Sequence, residues 1–139
     1  MRLLIDANIL LDVLQNREPH VRFSSAVWKL CETEKVKGYV SALTFANLVY
    51  IMRKELEPER IREVFNALSL IFEFVDFGIS DLSNAVKQNW NDFEDAVQSV
   101  TAERVNADFI VTRNVRDFHK SKVEAVTPSE WLARIQGLN

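Results

Sequence analysis

Short apolar runs typical of β-strands alternate along this chain with longer segments that have a helical period. Five such runs stand out: LLI at 3–5, YVS at 39–41, FEFVDF at 72–77, DFIVT at 108–112 and VEAVT at 123–127. The segments between them, such as ALTFANLVYIMRKEL, repeat apolar residues at steps of three and four. This alternation predicts an α/β fold in which a parallel sheet is covered by helices on both faces.

The chain has the size and composition of one globular domain. Its 139 residues are 47% hydrophobic and include only three Gly and three Pro, so nothing marks a linker. No apolar run approaches the roughly 20 residues needed to span a bilayer, and the first residues lack the pattern of a signal peptide. We therefore expect a single domain over residues 1–139, located in the cytoplasm, with its lone Cys31 buried and reduced.

Charge is distributed unevenly along the sequence. The formal net charge is −3 and the pI is near 5.4, which argues against tight nonspecific binding of nucleic acid through a basic surface. Residues 71–111 hold eight acids: Glu73, Asp76, Asp81, Asp92, Glu94, Asp95, Glu103 and Asp108. Residues 113–122 hold four bases around one acid: Arg113, Arg116, Asp117, Lys120 and Lys122. The pattern fits either two solvated faces or a cation site beside a patch that binds phosphates.

Polar residues follow two of the predicted strands directly. Asp6 interrupts the aliphatic run MRLLIDANILLDVL, where a buried charge costs several kcal/mol unless a partner offsets it. Thr112, Arg113 and Asn114 follow the fourth strand. Because ligands of open parallel sheets bind beyond the carboxyl ends of the strands, these residues are candidates for a functional site.

Polar residues on the predicted helices supply further candidates. Asp92 is expected to cap the helix that begins near DFEDAV, and Asp95 either joins that cap or points towards the strand end at Asp6. Asn47 lies in the most apolar helix, where an amide without a partner costs about 1 to 3 kcal/mol. Asp117 fits a solvated turn as well as a site near the sheet edge.

Together these groups suggest an acidic pocket at the carboxyl ends of the strands. Carboxylates that share a site raise one another's pKa, and a hard divalent cation removes that conflict. Mg²⁺ or Mn²⁺ takes oxygen ligands and is typically held by one or two carboxylates plus phosphate oxygens. Such a cation would let a chain with a net charge of −3 act on a polyanion.

Four segments carry a resemblance to a known family: MRLLIDANILLD, VSALTFANLVYIMRK, DFEDAVQSVTAERVNADFIVTRNVRDF and VEAVTPSEWL. They resemble the signature blocks of PIN-domain ribonucleases, in the branch that includes VapC-like toxins. The resemblance implies a three-layer α/β/α sandwich on a five-stranded parallel sheet. It also implies Mg²⁺- or Mn²⁺-dependent endoribonuclease activity on single-stranded RNA, silenced by a protein antitoxin.

The resemblance also implies roles for individual residues. The metal would be held by three acids: Asp6, Asp95 and Asp117. The polar residues around them would be Asn8, Thr112 and Asn114, with Asn114 in a catalytic role. Asn47 stands where the family usually has a Glu, and Asp92, one turn from Asp95, is a candidate to compensate for the missing charge.

The mechanism that follows is hydrolysis of an RNA phosphodiester by in-line attack of a water that the cation activates. Asn47 and Asn114 would position water or ligands, and Arg113, Arg116 and Lys120 are candidates for contacts with the RNA backbone. Asp12 is expected to face solvent. Apolar surface left over would suit a homodimer or an antitoxin helix.

Two other function classes remain open at this point. A catalytically weakened PIN-like binding module would keep the acidic pocket but lose the chemistry through Asn47. An aspartyl-phosphate phosphotransferase or receiver domain would also begin with an Asp after the first strand, but Asn8 stands where the phosphotransferases need a second acid. His20 and His119 are isolated in the sequence, and neither is assigned to a metal.

Overall fold

The computed structural model describes residues 1–137, which form five strands and seven α-helices. The strands are β1 (Arg2–Ile5), β2 (Lys37–Ser41), β3 (Glu73–Val75), β4 (Phe109–Val111) and β5 (Glu124–Val126). The helices are α1 (Ala7–Leu14), α2 (Val21–Glu32), α3 (Ala42–Met52), α4 (Pro58–Ile71), α5 (Ile79–Lys87), α6 (Phe93–Arg104) and α7 (Pro128–Gly137). A short 3₁₀ helix at Val115–Phe118 follows β4.

All five strands pair in parallel, in the order β3-β2-β1-β4-β5. The central strand β1 aligns Leu4 with Tyr39 of β2 on one side and with Ile110 of β4 on the other. Each predicted apolar run therefore forms a strand, and the expected α/β/α sandwich on a five-stranded parallel sheet is confirmed.

Side chains of the central strand alternate between the two faces of the sheet, as the pleat requires. Leu3 and Ile5 belong to the larger apolar core, which includes the fully buried Trp131 of α7 and residues of α1 to α4. Leu4 belongs to a second core with Ala102 of α6, on the opposite face. Both faces are therefore covered, which explains why β1 is apolar at consecutive positions.

The strand order indicates where a ligand would bind, which is between β1 and β4. From β1, the strand order continues through β2 to β3 at one edge of the sheet and through β4 to β5 at the other edge. The order therefore reverses between β1 and β4. A reversal of this kind opens a crevice at the carboxyl ends of the strands. The order also differs from the 2-1-3-4-5 order of flavodoxin-like receiver domains, which removes the structural basis for that alternative.

The structure also bears on the lone cysteine and on the question of a membrane span. Cys31 is buried, as predicted, and burial raises the pKa of its thiol to about 12. Within residues 1–137, no helix has both the length and the apolar character needed to cross a membrane.

Candidate functional site

Asp6 lies at the crevice between β1 and β4 and is held there by three donors. It caps α1, with Oδ1 accepting a hydrogen bond from the backbone N–H of Ala7 at 2.8 Å. Its Oδ2 accepts from the hydroxyl of Thr112 at 2.8 Å and from Nδ2 of Asn8 at 3.3 Å. The carboxylate is thus fixed by groups at the ends of both β1 and β4.

Thr112 connects this carboxylate to the segment that follows β4. Its Oγ1 accepts hydrogen bonds from Nδ2 of Asn8 at 3.4 Å and from the backbone N–H of Asn114 at 3.0 Å. Oδ1 of Asn8 accepts from the backbone N–H of Arg113 at 3.2 Å. Thr112 is fully buried, so its hydroxyl orients the carboxylate of Asp6 without being accessible itself.

The first turn of α6 brings a second carboxylate to the same place. Asp92 caps this helix, with Oδ1 accepting from the backbone N–H of Asp95 at 3.1 Å, as the sequence predicts. Asp95 faces the same cavity as Asp6. Of the two orientations left open for Asp95, the structure has the one directed towards the strand ends.

These residues line a cavity of about 290 Å³, which we call the acidic cleft. Its acids are Asp6, Asp92, Glu94, Asp95 and Asp117. Its amide side chains are Asn8, Asn47, Gln98 and Asn114. Among the described residues that line the cleft there is no Lys or Arg, so the carboxylates face one another without a protein cation between them.

The crowding of carboxylates changes their proton affinity. Burial, followed by the charges of Asp92 and Asp6, raises the pKa of Asp95 to about 7. Burial also raises the pKa of Asp6, although the hydrogen bonds from Thr112 and Ala7 oppose that change. The cleft therefore carries a set of acids that a bound cation would stabilise in the charged form.

The elevated pKa of Asp95 predicts a pH-dependent stability in the absence of divalent cations. The folded protein holds this proton more tightly than the unfolded chain, where the pKa is near 3.8. The corresponding stability is complete below about pH 4 and is lost as the pH rises through 7. In EDTA, we expect a lower melting temperature at pH 8 than at pH 5.5.

Asp95→Asn removes this titration and should reduce the difference between the two pH values. Glu55→Gln changes the net charge equally outside the acidic cleft and should leave the difference as in the wild type. Equal pH dependence in all three proteins would show that Asp95 is not the group responsible.

The acidic cleft offers carboxylate and amide oxygens, which are the ligands that a hard divalent cation prefers. Mg²⁺ usually takes one or two carboxylates and completes its shell with water and phosphate oxygens. Gln98 adds a further oxygen: its Nε2 donates to Oγ1 of Thr44 at 2.8 Å, while Oε1 is buried and has no hydrogen-bond partner among residues 1–137. Within residues 1–137, no group of three or more His, Cys, Asp or Glu side chains is arranged as a metal site.

Glu94 is a residue that sequence reasoning did not assign to the site. Its Oε2 accepts a hydrogen bond from Nδ2 of Asn47 at 3.1 Å, so the partner that Asn47 requires is a carboxylate on α6. Gln98 was also missed. It follows Glu94 by four residues, the spacing that places two side chains on one face of a helix, and this spacing was the available signal.

The predicted RNA-contacting bases occupy different places. Arg116 and Lys120 lie in a second cavity that shares Asp95 and Asp117 with the acidic cleft. Arg113 does not line either cavity and instead faces α1 and α2. Thus the structure brings Arg116 and Lys120 near the acids and directs Arg113 away from them.

The expectation that Asp12 faces solvent is wrong. Asp12 is fully buried, with Oδ2 accepting from Oγ of Ser24 at 2.9 Å and from Nε of Arg113 at 3.0 Å. Helix α1 packs against both α2 and α3, so it buries four consecutive residues, from Ile9 to Asp12. Arg113 supplies the counter-charge that makes burial of this carboxylate tolerable.

Removal of Arg113 should therefore destabilise the fold. Arg113→Ala leaves the carboxylate of Asp12 buried without its counter-charge, and we expect a loss of about 3 kcal/mol in the free energy of unfolding. Urea denaturation measures this change. Arg116→Ala, an exposed residue, is the matched control and should cost about 0.5 kcal/mol or less. Equal losses in the two variants would contradict a structural role for Arg113.

Comparison with known families decides what kind of domain carries this cleft. The family model described as PIN domain matches residues 2–116, which is most of the chain and includes Asp6, Asn47, Asp95 and Asn114. The chain belongs to the PIN domain family. PIN domains are generally nucleases that use divalent metals, and Asp117 of this PIN domain lies just beyond the matched region.

Solved structures share the fold of this PIN domain. A toxin–antitoxin complex from Klebsiella pneumoniae is similar at 23% identity, with a TM-score of 0.69, over 91% of this chain and 97% of that chain. VapBC-1 from nontypeable Haemophilus influenzae is 16% identical, with a TM-score of 0.70, over 93% and 99%. VapBC2 from Rickettsia felis, bound to a DNA fragment from their promoter, is 16% identical, with a TM-score of 0.67, over 91% and 98%. A search of curated proteins found no match.

Proposed function

We propose that this PIN domain is a Mg²⁺- or Mn²⁺-dependent endoribonuclease that hydrolyses phosphodiester bonds in single-stranded RNA. The observation that carries the proposal is the acidic cleft. Asp6, Asp95 and Asp117 are far apart in sequence, yet all three line one cavity where the strand order reverses. Membership of a family whose members are generally nucleases supports the same conclusion.

The proposed cation ligands are Asp6 together with Asp95 or Asp117, and water and phosphate oxygens would complete the coordination shell. A divalent cation bound there would lower the pKa of a water molecule and neutralise charge on the scissile phosphate. Thr112 and Asn8 hold the carboxylate of Asp6 in one orientation by hydrogen bonds, which lowers the cost of presenting it to a cation. Asn114 lines the cleft beside them and is a candidate to orient the phosphate or the attacking water.

Glu94 is the proposed replacement for the acid that position 47 lacks. Asn47 itself has no charge, but its amide holds the carboxylate of Glu94 at the cleft wall. Asp92 fits this role less well, because one of its oxygens is already used to cap α6. The departure from the family pattern at Asn47 would then move the carboxylate to α6 and conserve the charge of the cleft.

The cleavage assay tests the proposed activity directly. Purified protein is incubated with end-labelled single-stranded RNAs of varied sequence, with Mg²⁺ or Mn²⁺ and separately with EDTA. We expect internal cleavage that requires the cation, and weaker cleavage of fully paired duplexes of the same sequences. Intact RNA under every cation condition, across a panel that samples all dinucleotide steps, would contradict the proposal.

A role as the toxin of a toxin–antitoxin pair follows from the same comparison. Structures with this fold include toxin–antitoxin complexes, which supports a protein antitoxin as the partner of this chain. Association of two copies into a homodimer stays a prediction from the sequence. Induced expression of the wild-type protein should arrest growth of a host cell, and Asp6→Asn should not; arrest by both would remove RNA cleavage as the cause.

Asn47 favours a second candidate function, a PIN-like module that binds but does not cleave. In that case the cleft would bind a divalent cation or RNA with no turnover. Titration with Mn²⁺ followed by the cleavage assay separates the two candidates, because binding without cleavage of any RNA would favour the module.

A further inference from the structure

A second cavity opens beside the acidic cleft and has a different chemistry. It encloses about 160 Å³, and we call it the Trp90 cleft. On one side it shares Asp92, Asp95 and Asp117 with the acidic cleft. Its other side carries an aromatic ring and three nitrogen-bearing side chains: Trp90, Arg116, His119 and Lys120. Anything that occupies the Trp90 cleft therefore lies next to the proposed site of cleavage.

Trp90 is held in place while part of it stays accessible. Its indole Nε1 donates to Oε1 of Gln88 at 3.1 Å. The ring of Phe118 packs against it edge-on, with centroids 6.0 Å apart and an interplanar angle of 72°. The side chain also contacts the apolar clusters around α6, yet it remains only partly buried and lines the cleft. A ring fixed in this way loses little conformational freedom when a flat ligand stacks on it.

The cationic side chains line the same cavity as the indole. Nζ of Lys120 donates to the backbone carbonyl of Asn89 at 3.1 Å, which holds its charge beside the segment that carries Trp90. Arg116 and Lys120 are both exposed residues. Since five acids line the neighbouring acidic cleft, and three of them also line the Trp90 cleft, these two bases offer the phosphates of a polyanion counter-charges close to the carboxylates.

We propose that the Trp90 cleft binds the nucleotide next to the scissile phosphate, with its base stacked on Trp90 and its phosphate paired with Arg116 and Lys120. An aromatic platform flanked by cations is the arrangement by which proteins bind single-stranded nucleic acid. Stacking needs an unpaired base, so this cleft explains a preference for single strands over duplexes. The inference rests on the proposed RNA substrate, but it does not depend on cleavage.

Equilibrium binding tests this proposal separately from activity. The full chain in EDTA is titrated into a fluorescently labelled single-stranded RNA, and the RNA is checked for integrity afterwards. We expect Trp90→Leu, which keeps an apolar side chain in the contact with Phe118, to raise the Kd roughly tenfold. Trp90→Phe keeps an aromatic face and should recover most of the affinity.

Two further measurements separate stacking from charge and from loss of fold. Lys120→Ala should flatten the plot of log Kd against log salt by roughly 0.7, while Trp90→Leu should leave that slope unchanged. Trp28→Leu, on a ring that packs against Phe72 in the other core, should bind RNA like the wild type. Circular dichroism confirms that each variant is folded.

The outcomes are distinguishable. RNA binding that is equally strong in the wild type and in Trp90→Leu would overturn the proposed nucleotide site and leave the proposed nuclease function standing. Binding that Trp90→Phe fails to recover would show that the indole acts through packing and would also overturn it. A wild-type protein that neither binds nor cleaves single-stranded RNA would overturn both proposals.

Discussion

Asp6→Asn is expected to lower the rate of RNA cleavage by about a thousandfold. The change removes one negative charge from the acidic cleft but keeps the size of the side chain. The single oxygen of an asparagine can keep the hydrogen bond from the backbone N–H of Ala7, and its Nδ2, which replaces Oδ2, can donate to the hydroxyl of Thr112 instead of accepting from it. The cap of α1 and the link between β1 and β4 should therefore survive, so the loss of rate reports on cation binding.

A matched control for this experiment lies at the opposite end of the sheet. Asp108 accepts a hydrogen bond from the backbone N–H of Arg2 at 2.8 Å, and Asp108→Asn makes the same chemical change away from the acidic cleft. The control should cleave RNA at the wild-type rate. If Asp6→Asn keeps more than a tenth of the activity while both variants are folded, Asp6 is not a ligand of an essential cation.

Glu94→Gln is expected to weaken the binding of Mn²⁺ by roughly tenfold. The carboxylate of Glu94 is held at the cleft wall by Asn47, and it offers a charge that the amide of Asn47 cannot supply. Isothermal titration calorimetry measures the affinity without any substrate. Glu103→Gln, near the end of the same helix and outside the acidic cleft, is the matched control and should bind Mn²⁺ like the wild type.

An exchange of the two residues gives a sharper test. The double replacement Asn47→Glu with Glu94→Gln moves the carboxylate to α3 and the amide to α6 while it keeps a donor facing an acceptor. We expect this double variant to recover the Mn²⁺ affinity that Glu94→Gln alone loses. If the single variant binds Mn²⁺ normally, or if the exchange recovers nothing, Glu94 does not compensate for Asn47.

The fold and the centre of the site could be predicted because their determinants are local. Alternating apolar runs define strands and helices, and a residue directly after a parallel strand, such as Asp6 or Thr112, must lie at the carboxyl edge of the sheet. The position of Asp95 required more, because a helix can be rotated about its axis. The cap that Asp92 forms and the packing of α6 on the sheet fix that rotation.

The residues that were missed or misplaced depend on packing between distant segments. Asp12 looked solvated because its spacing from Asp6 says nothing about α2, whose Ser24 contacts it, or about Arg113, which pairs with it from the segment after β4. Glu94 looked like one more acid in a charged segment. Its role becomes visible only when α3 brings Asn47 within 3.1 Å of its carboxylate.

The most direct test of the proposed cation site is anomalous scattering from a crystal soaked in Mn²⁺. We expect one strong peak in the acidic cleft, at about 2.1 Å from a carboxylate oxygen of Asp6 and from one of Asp95 or Asp117. We also expect the peak to vanish in Asp6→Asn crystals soaked in the same way. A cleft that stays empty of manganese in the wild type, with Asp6, Asp95 and Asp117 fully ordered, would contradict the cation-dependent mechanism.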